Sequence, residues 1–302
     1  KRQTDGLSER SQARHTKAAK IKIYITNSVI AGLTLICLGL FISRPLLAAP
    51  FGDLWKHWDT SNEKSLSSVD HSDWQIILDR HLYSSNDGIN RMDYQNFDPE
   101  SRTLLKNYLS RMAQIVPTDL KKREQKVFWA NLYNALTVDL VLSNPKKKTI
   151  KKMGKKLLSF GPWDDEVITV ENTKITLNDI EHRILRPIWR DHRIHFVLNC
   201  ASLGCPNLSQ TALTSENIEE QMNTAERLFL NDPRGVKIAG EKLILSSLFD
   251  WYRDDFANSE KELISYIASK NPIIGEIQNP SEYRIEYRYD WGLNSWINDG
   301  KR

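Results

Sequence analysis

Between Glu181 and Pro206 the chain gathers most of its chemically capable side chains: Glu181-His182, then Arg193, His195, Asn199, Cys200 and Cys205. A histidine within reach of a cysteine can draw off the thiol proton and make a nucleophile. In that reading His195 is the base, Cys200 or Cys205 the nucleophile, and Asn134 or Glu181 orients the imidazole. Backbone amides of the small-residue loop 201–204 would then hold an oxyanion. The same two cysteines could instead be joined as a disulfide, which an oxidising compartment sustains. Two Cys and two His could also ligate zinc, but His182-x12-His195 followed by Cys200-x4-Cys205 is not a strong ligand spacing. The sequence points to no metal and no cofactor.

These residues have bland readings too. Glu181 lies three residues after Asn178, a capping-box spacing. His182 and Arg186 are i, i+4 on one helix. If 193–200 is a buried strand, Arg193, His195, Val197 and Asn199 share a face, which must be paired or line a pocket. Asn131 and Asn134 share a face of a long helix. Asn suits a helix interior poorly, so both amides either tie down loops or, with Arg193, Asn199 and Trp163, bind a ligand.

The elements that must position these groups follow from periodicity. Helices are expected over 73–83, 99–115, 119 to about 142 with Asp119 as cap, 216–230, 247–256 and 260–269. A short helix starts at Asn178 and stops at Pro187. Strands are expected at 166–170 and 174–177 around a turn, at 193–200, as a hairpin at 236–239 and 242–245 across Gly240, and near 283–289. Helices and strands mix without a βαβ rhythm, and no repeat or low-complexity linker interrupts them. The fold class is α+β: one helix-rich globular domain over 50–302 with a small mixed or antiparallel sheet.

Ahead of it, 23–43 contains no charge, and about 20 apolar residues suffice to cross a bilayer. Residues 1–22 form a basic lead with seven Lys/Arg against Asp5 and Glu9. Such a lead stays in the cytoplasm while the rest crosses. Leu46-Leu47-Ala48-Ala49 offers small residues for cleavage, so a signal peptide is preferred to a retained anchor over 23–49. The domain is thus expected in the periplasm or cell envelope, with the membrane as a partner if the segment is uncleaved.

The whole chain carries +4; removing +5 for 1–22 and +1 for Arg44 leaves −2. Global charge therefore gives no argument for nucleic acid. One local run is strongly basic: Lys146-Lys147-Lys148 with Lys151, Lys152, Lys155 and Lys156. It is either a solvated face or an anion-binding surface.

Several segments resemble the family catalogued as domain of unknown function 547. They are Phe128-Trp129-Ala130-Asn131-Leu132-Tyr133-Asn134-Ala135, Gly161-Pro162-Trp163, the stretch from Ile180-Glu181-His182 to Arg186-Pro187, and that from Arg193-Ile194-His195 to Cys205-Pro206. The likeness spans about 115–235. Trp251…Asp255-Phe256 and Tyr289-Asp290-Trp291…Leu293-Asn294 look like bacterial members. The resemblance implies no established activity. It implies an export signal, as bacterial members often have one, and the leucine zipper that plant relatives carry has no heptads here. Thr149-Ile150-Lys151 stands where the family reads Ser-Ile-Arg, which weakens a bidentate anion contact at Lys151. The expected function is an envelope module that binds a small ligand or another envelope protein; the alternative is a cysteine/histidine-dependent hydrolase or acyl transferase.

Overall fold

In a computed structural model, residues 52–155, 160–277 and 282–297 are described. The apolar segment and the basic lead lie outside them. Among the described residues no helix is long and apolar enough to cross a membrane.

The centre of the domain is α3 (Lys122–Leu142), preceded by α1 (Ser72–His81) and α2 (Pro99–Met112). Asp98 caps α2, accepting from the Ser101 amide at 2.8 Å. Only four of the 21 residues of α3 escape burial, since 17 are buried. A helix covered all round must find partners for its polar groups, and α3 finds most of them by fastening distant loops, with Gln125 Oε1 and Trp129 Nε1 left unpartnered. Gln125 donates to the Thr60 and Pro117 carbonyls, Glu124 accepts from the Val69 amide and Ser215, and Lys126 pairs with Asp191. Trp129 meets Trp58 edge-on at 5.0 Å, anchoring the irregular N-terminal stretch.

The sheets are small. β1 (Leu82–Ser84) and β2 (Asn90–Met92) pair antiparallel around the Asp87-Gly88 turn. β3 (Glu166–Val170) and β4 (Thr173–Thr176) do the same around Glu171 and Asn172, both at positive φ. A π-helical stretch, Asp179–Leu185, runs into α4 (Arg186–Trp189), and α5 (Ile218–Leu230) follows. β5 (Val236–Ala239) and β6 (Lys242–Ser246) form the expected hairpin. α6 (Leu248–Trp251), α7 (Arg253–Phe256), α8 (Glu260–Lys270) and α9 (Pro272–Gly275) lead to β7 (Arg284–Arg288), which joins β6 in parallel. The α+β class holds.

Three local expectations are corrected. Residues 193–200 are not a strand: His192–Phe196 is a 3-10 turn, because Asp191 Oδ1 accepts the Arg193 amide at 3.0 Å and starts a helical turn. Beyond it, the Asn134 side chain bonds the Val197 carbonyl and the Asn199 amide, groups a sheet ladder would need. Asp119 does not cap α3. It ends a separate turn, and Glu63 accepts the Lys122 amide instead. Asn178 makes no capping bond. The reciprocal box is Thr176 with Asp179, whose side chains bond each other's amides at 2.9 and 3.0 Å.

Among the described residues two large hydrophobic clusters and a small third one result. The larger surrounds α3; the smaller lies among α5, α8 and the three-stranded sheet around Phe196, Phe229 and Phe249. The 192–196 turn belongs to both, with Ile194 in the larger and Phe196 in the smaller. His195 sits at the seam.

Candidate functional site

The π-helical stretch presents Glu181 and His182 inward, and both are buried. His195 comes to them from the 3-10 turn. Its Nδ1 is 3.7 Å from Glu181 Oε1, an ion-pair contact too long for a hydrogen bond, and its Nε2 is 2.6 Å from Asp255 Oδ2. Asp255 arrives from α7 and also accepts from Arg186 Nε at 2.6 Å and Arg186 NH2 at 3.1 Å. Arg186 NH1 lies 3.0 Å from His182 Nδ1. The Tyr252 ring stacks on His195 at 4.0 Å between centroids.

Burial works against each charge here, and the neighbours decide the outcome. Burial pushes the Glu181 carboxyl up, but His182, His195 and Arg186 outweigh it and hold it at about 2. Burial pulls His182 down to about 4, helped by Arg186 and His195 and opposed by Glu181 and Asp255. Asp255 is raised by burial, yet its bonds to His195 and Arg186 hold it far below the usual carboxylate range. Burial, and then Glu181, push the Tyr133 and Tyr252 phenols well up.

Beside this cluster lies the loop 199–206. The sulfurs of Cys200 and Cys205 are at bonding distance, with Cα atoms 6.3 Å apart, within the range of a disulfide. The Tyr289 hydroxyl is 3.0 Å from one sulfur and 3.1 Å from the other. Asn199 pins the loop, accepting from the Ala201 amide and donating to the Pro206 carbonyl. Arg234 donates to the Leu203 and Cys205 carbonyls. The C-terminal segment closes over it: Leu203 and Gly204 donate to the Gly292 and Asp290 carbonyls, and Asn294 donates to Ala201. A Cβ on Gly204 would lie 2.8 Å from the Asp290 nitrogen, so only glycine permits this approach.

Four half-buried aromatic side chains, Trp163, Trp251, Tyr289 and Trp291, form a wall at this edge, with Trp291 4.6 to 5.8 Å from the other three. Gly161, at φ 95°, lies under the Trp163 ring.

The structure thus brings Glu181, His182 and His195 together and sets Cys200 and Cys205 nearby. It takes Arg193 elsewhere, to Asp191, Glu219 and Asn223 on the α5 side. Asn131 bonds both backbone groups of Leu213, as Asn134 does those of Val197 and Asn199, so both amides hold loops. Asp255, Tyr252 and Tyr289 were missed as site residues. Their sequence signal was the aromatic-acid pattern at 251–256 and 289–294, which periodicity alone does not mark as chemical. Among the described residues no three His, Cys, Asp or Glu converge as a metal site.

Fold and site together define an α+β domain in which a buried carboxylate–histidine–arginine cluster adjoins a cysteine-closed loop. Residues 117–230 match the family model described as "Protein of unknown function, DUF547". No curated protein and no solved structure matches the chain.

Proposed function

We propose that the chain is an exported envelope protein whose domain binds a ligand or partner without catalysing a reaction. The binding edge is the aromatic wall of Trp163, Trp251, Tyr289 and Trp291 beside loop 199–206. One observation carries this reading: the sulfurs of Cys200 and Cys205 lie at bonding distance, and a thiol nucleophile needs an unjoined sulfur. Half-exposed Trp and Tyr rings, by contrast, offer apolar faces with a polar handle, as binding surfaces commonly do.

Export rests on the sequence. The basic lead, the charge-free 23–43 and the small residues at 46–49 together read as a targeting segment. The domain then lies in the periplasm or envelope, where a disulfide persists.

The test is the native redox state of the pair. Cells are acid-quenched, free thiols blocked, and the peptides read by mass spectrometry. A joined pair supports the binding reading. Free thiols, with one labelled by an activity-based thiol probe, would replace it with the hydrolase or acyl-transferase reading.

A further inference from the structure

The lysine run plays no part in the cluster, and its setting is unusual. No acidic residue occurs between Asp139 and Asp164. Lys146, Lys147, Lys148, Lys152 and Lys155 are exposed, and among the described residues none of their side chains pairs with a carboxylate. Other cations of the domain are matched, such as Lys106 to Asp139 and Lys174 to Glu166.

The surface is also fixed in shape. Ile150 and Met153 are buried against Val141 and Ala201, with Trp163, Trp291 and Leu293 packed around them. The Leu293 amide donates to the Lys148 carbonyl at 3.1 Å. Lys151 turns back, its Nζ 4.2 Å from the Phe160 ring centroid and 5.1 Å from that of Trp291. Phe160 itself is 49% exposed. The result is a rigid basic surface with an aromatic edge.

We propose that this surface docks on an anionic lipid bilayer, the lysines on headgroup phosphates and the Phe160–Trp291 edge at the interface. Clustered lysines are drawn to anionic headgroups, and aromatic side chains favour the interfacial layer. A bilayer is favoured over a soluble anionic polymer by the chain's own connectivity. Residues 44–51 link the charge-free segment 23–43 to the described domain, and eight residues reach at most about 28 Å. This inference rests on the exported reading above, with segment 23–43 retained as the anchor.

The test uses the full chain reconstituted in vesicles of phosphatidylcholine, alone or with phosphatidylglycerol. A membrane-impermeant acylating reagent labels exposed amines, read lysine by lysine by mass spectrometry. Labelling of Lys146, Lys147, Lys148, Lys152 and Lys155 is expected to slow by about threefold or more in the anionic vesicles. Exposed lysines on other elements, Lys64, Lys237 and Lys261, are expected to label equally in both. High salt should erase the difference, and so should the triple variant K146E/K147E/K148E, read at the remaining Lys152 and Lys155. Equal labelling in the two vesicles overturns the proposal, as does protection by soluble dextran sulfate but not by vesicles. An alkaline carbonate wash separates the two readings. Extraction of the chain sinks the anchor, while lysine protection still reports docking on the same vesicles.

Discussion

Asp255 Oδ2 stands 2.6 Å from His195 Nε2 and 2.6 Å from Arg186 Nε, so one carboxylate holds two partners that come from different elements. Removing it leaves both without their main acceptor. Breaking a buried, hydrogen-bonded pair costs about 3–5 kcal/mol. Asp255→Ala is expected to lose about 3 kcal/mol in urea unfolding, and Asp255→Asn, which keeps one acceptor, less. A double-mutant cycle with Arg186→Met should show coupling of about 1 kcal/mol or more. Additive losses would mean the contact contributes nothing of its own.

The buried histidines set an acid limit. His182 and His71 each fall from 6.5 to about 4, burial being the first cause in both. The folded form keeps them neutral while the unfolded chain takes up a proton below 6.5. Their stabilisation is therefore complete above pH 6.5 and is lost as pH falls from 6.5 towards 4. Glu181, depressed from 4.5 to about 2, adds its loss only below about 4.5. Each histidine accounts for up to about 3 kcal/mol. Urea midpoints should drop between pH 7 and pH 5, and His71→Gln should flatten that drop. A midpoint unchanged over this range would contradict the assignment.

The cysteine pair closes a loop spanning residues 200 to 205. The chain-entropy relation assigns about 2 kcal/mol to so short a loop. Reduction, or Cys205→Ser, is expected to lower unfolding stability by that amount and to leave the α-helical signal in place. A reduced protein as stable as the oxidised one would refute it.

Gly161→Ala probes the aromatic wall. An added Cβ would lie 1.9 Å from the Trp163 ring, at a backbone φ of 95° that L residues rarely adopt. The ring must move, with a destabilisation of about 1–3 kcal/mol. Near-ultraviolet circular dichroism should change while the far-ultraviolet spectrum stays. An unaltered near-ultraviolet spectrum would show that Trp163 does not depend on this glycine.

The long amphipathic helices and both hairpins with clear turns were legible because their patterns are local. The Asn131 and Asn134 amides were legible too, since a buried helical Asn demands partners. The turn at 192–196 was not, because its alternation of Ile194, Phe196 and Leu198 mimics a strand. What overrides it is the Asp191 side chain and the amide of Asn134, more than 60 residues away in sequence. Within the site, Glu181 and His195 stood out by type. Asp255 did not, since a surface-looking acid in Arg253-Asp254-Asp255-Phe256 shows its role only once α7 reaches Arg186.

The family match stops at residue 230, yet Asp255, Tyr289 and the 290–294 strap belong to the site. During synthesis the cysteine loop leaves the ribosome nearly 90 residues ahead of the segment that bolts it down, as the Leu203–Gly292 bond shows. The site consequently cannot close, and the aromatic wall cannot form, before residues 289–294 have been made.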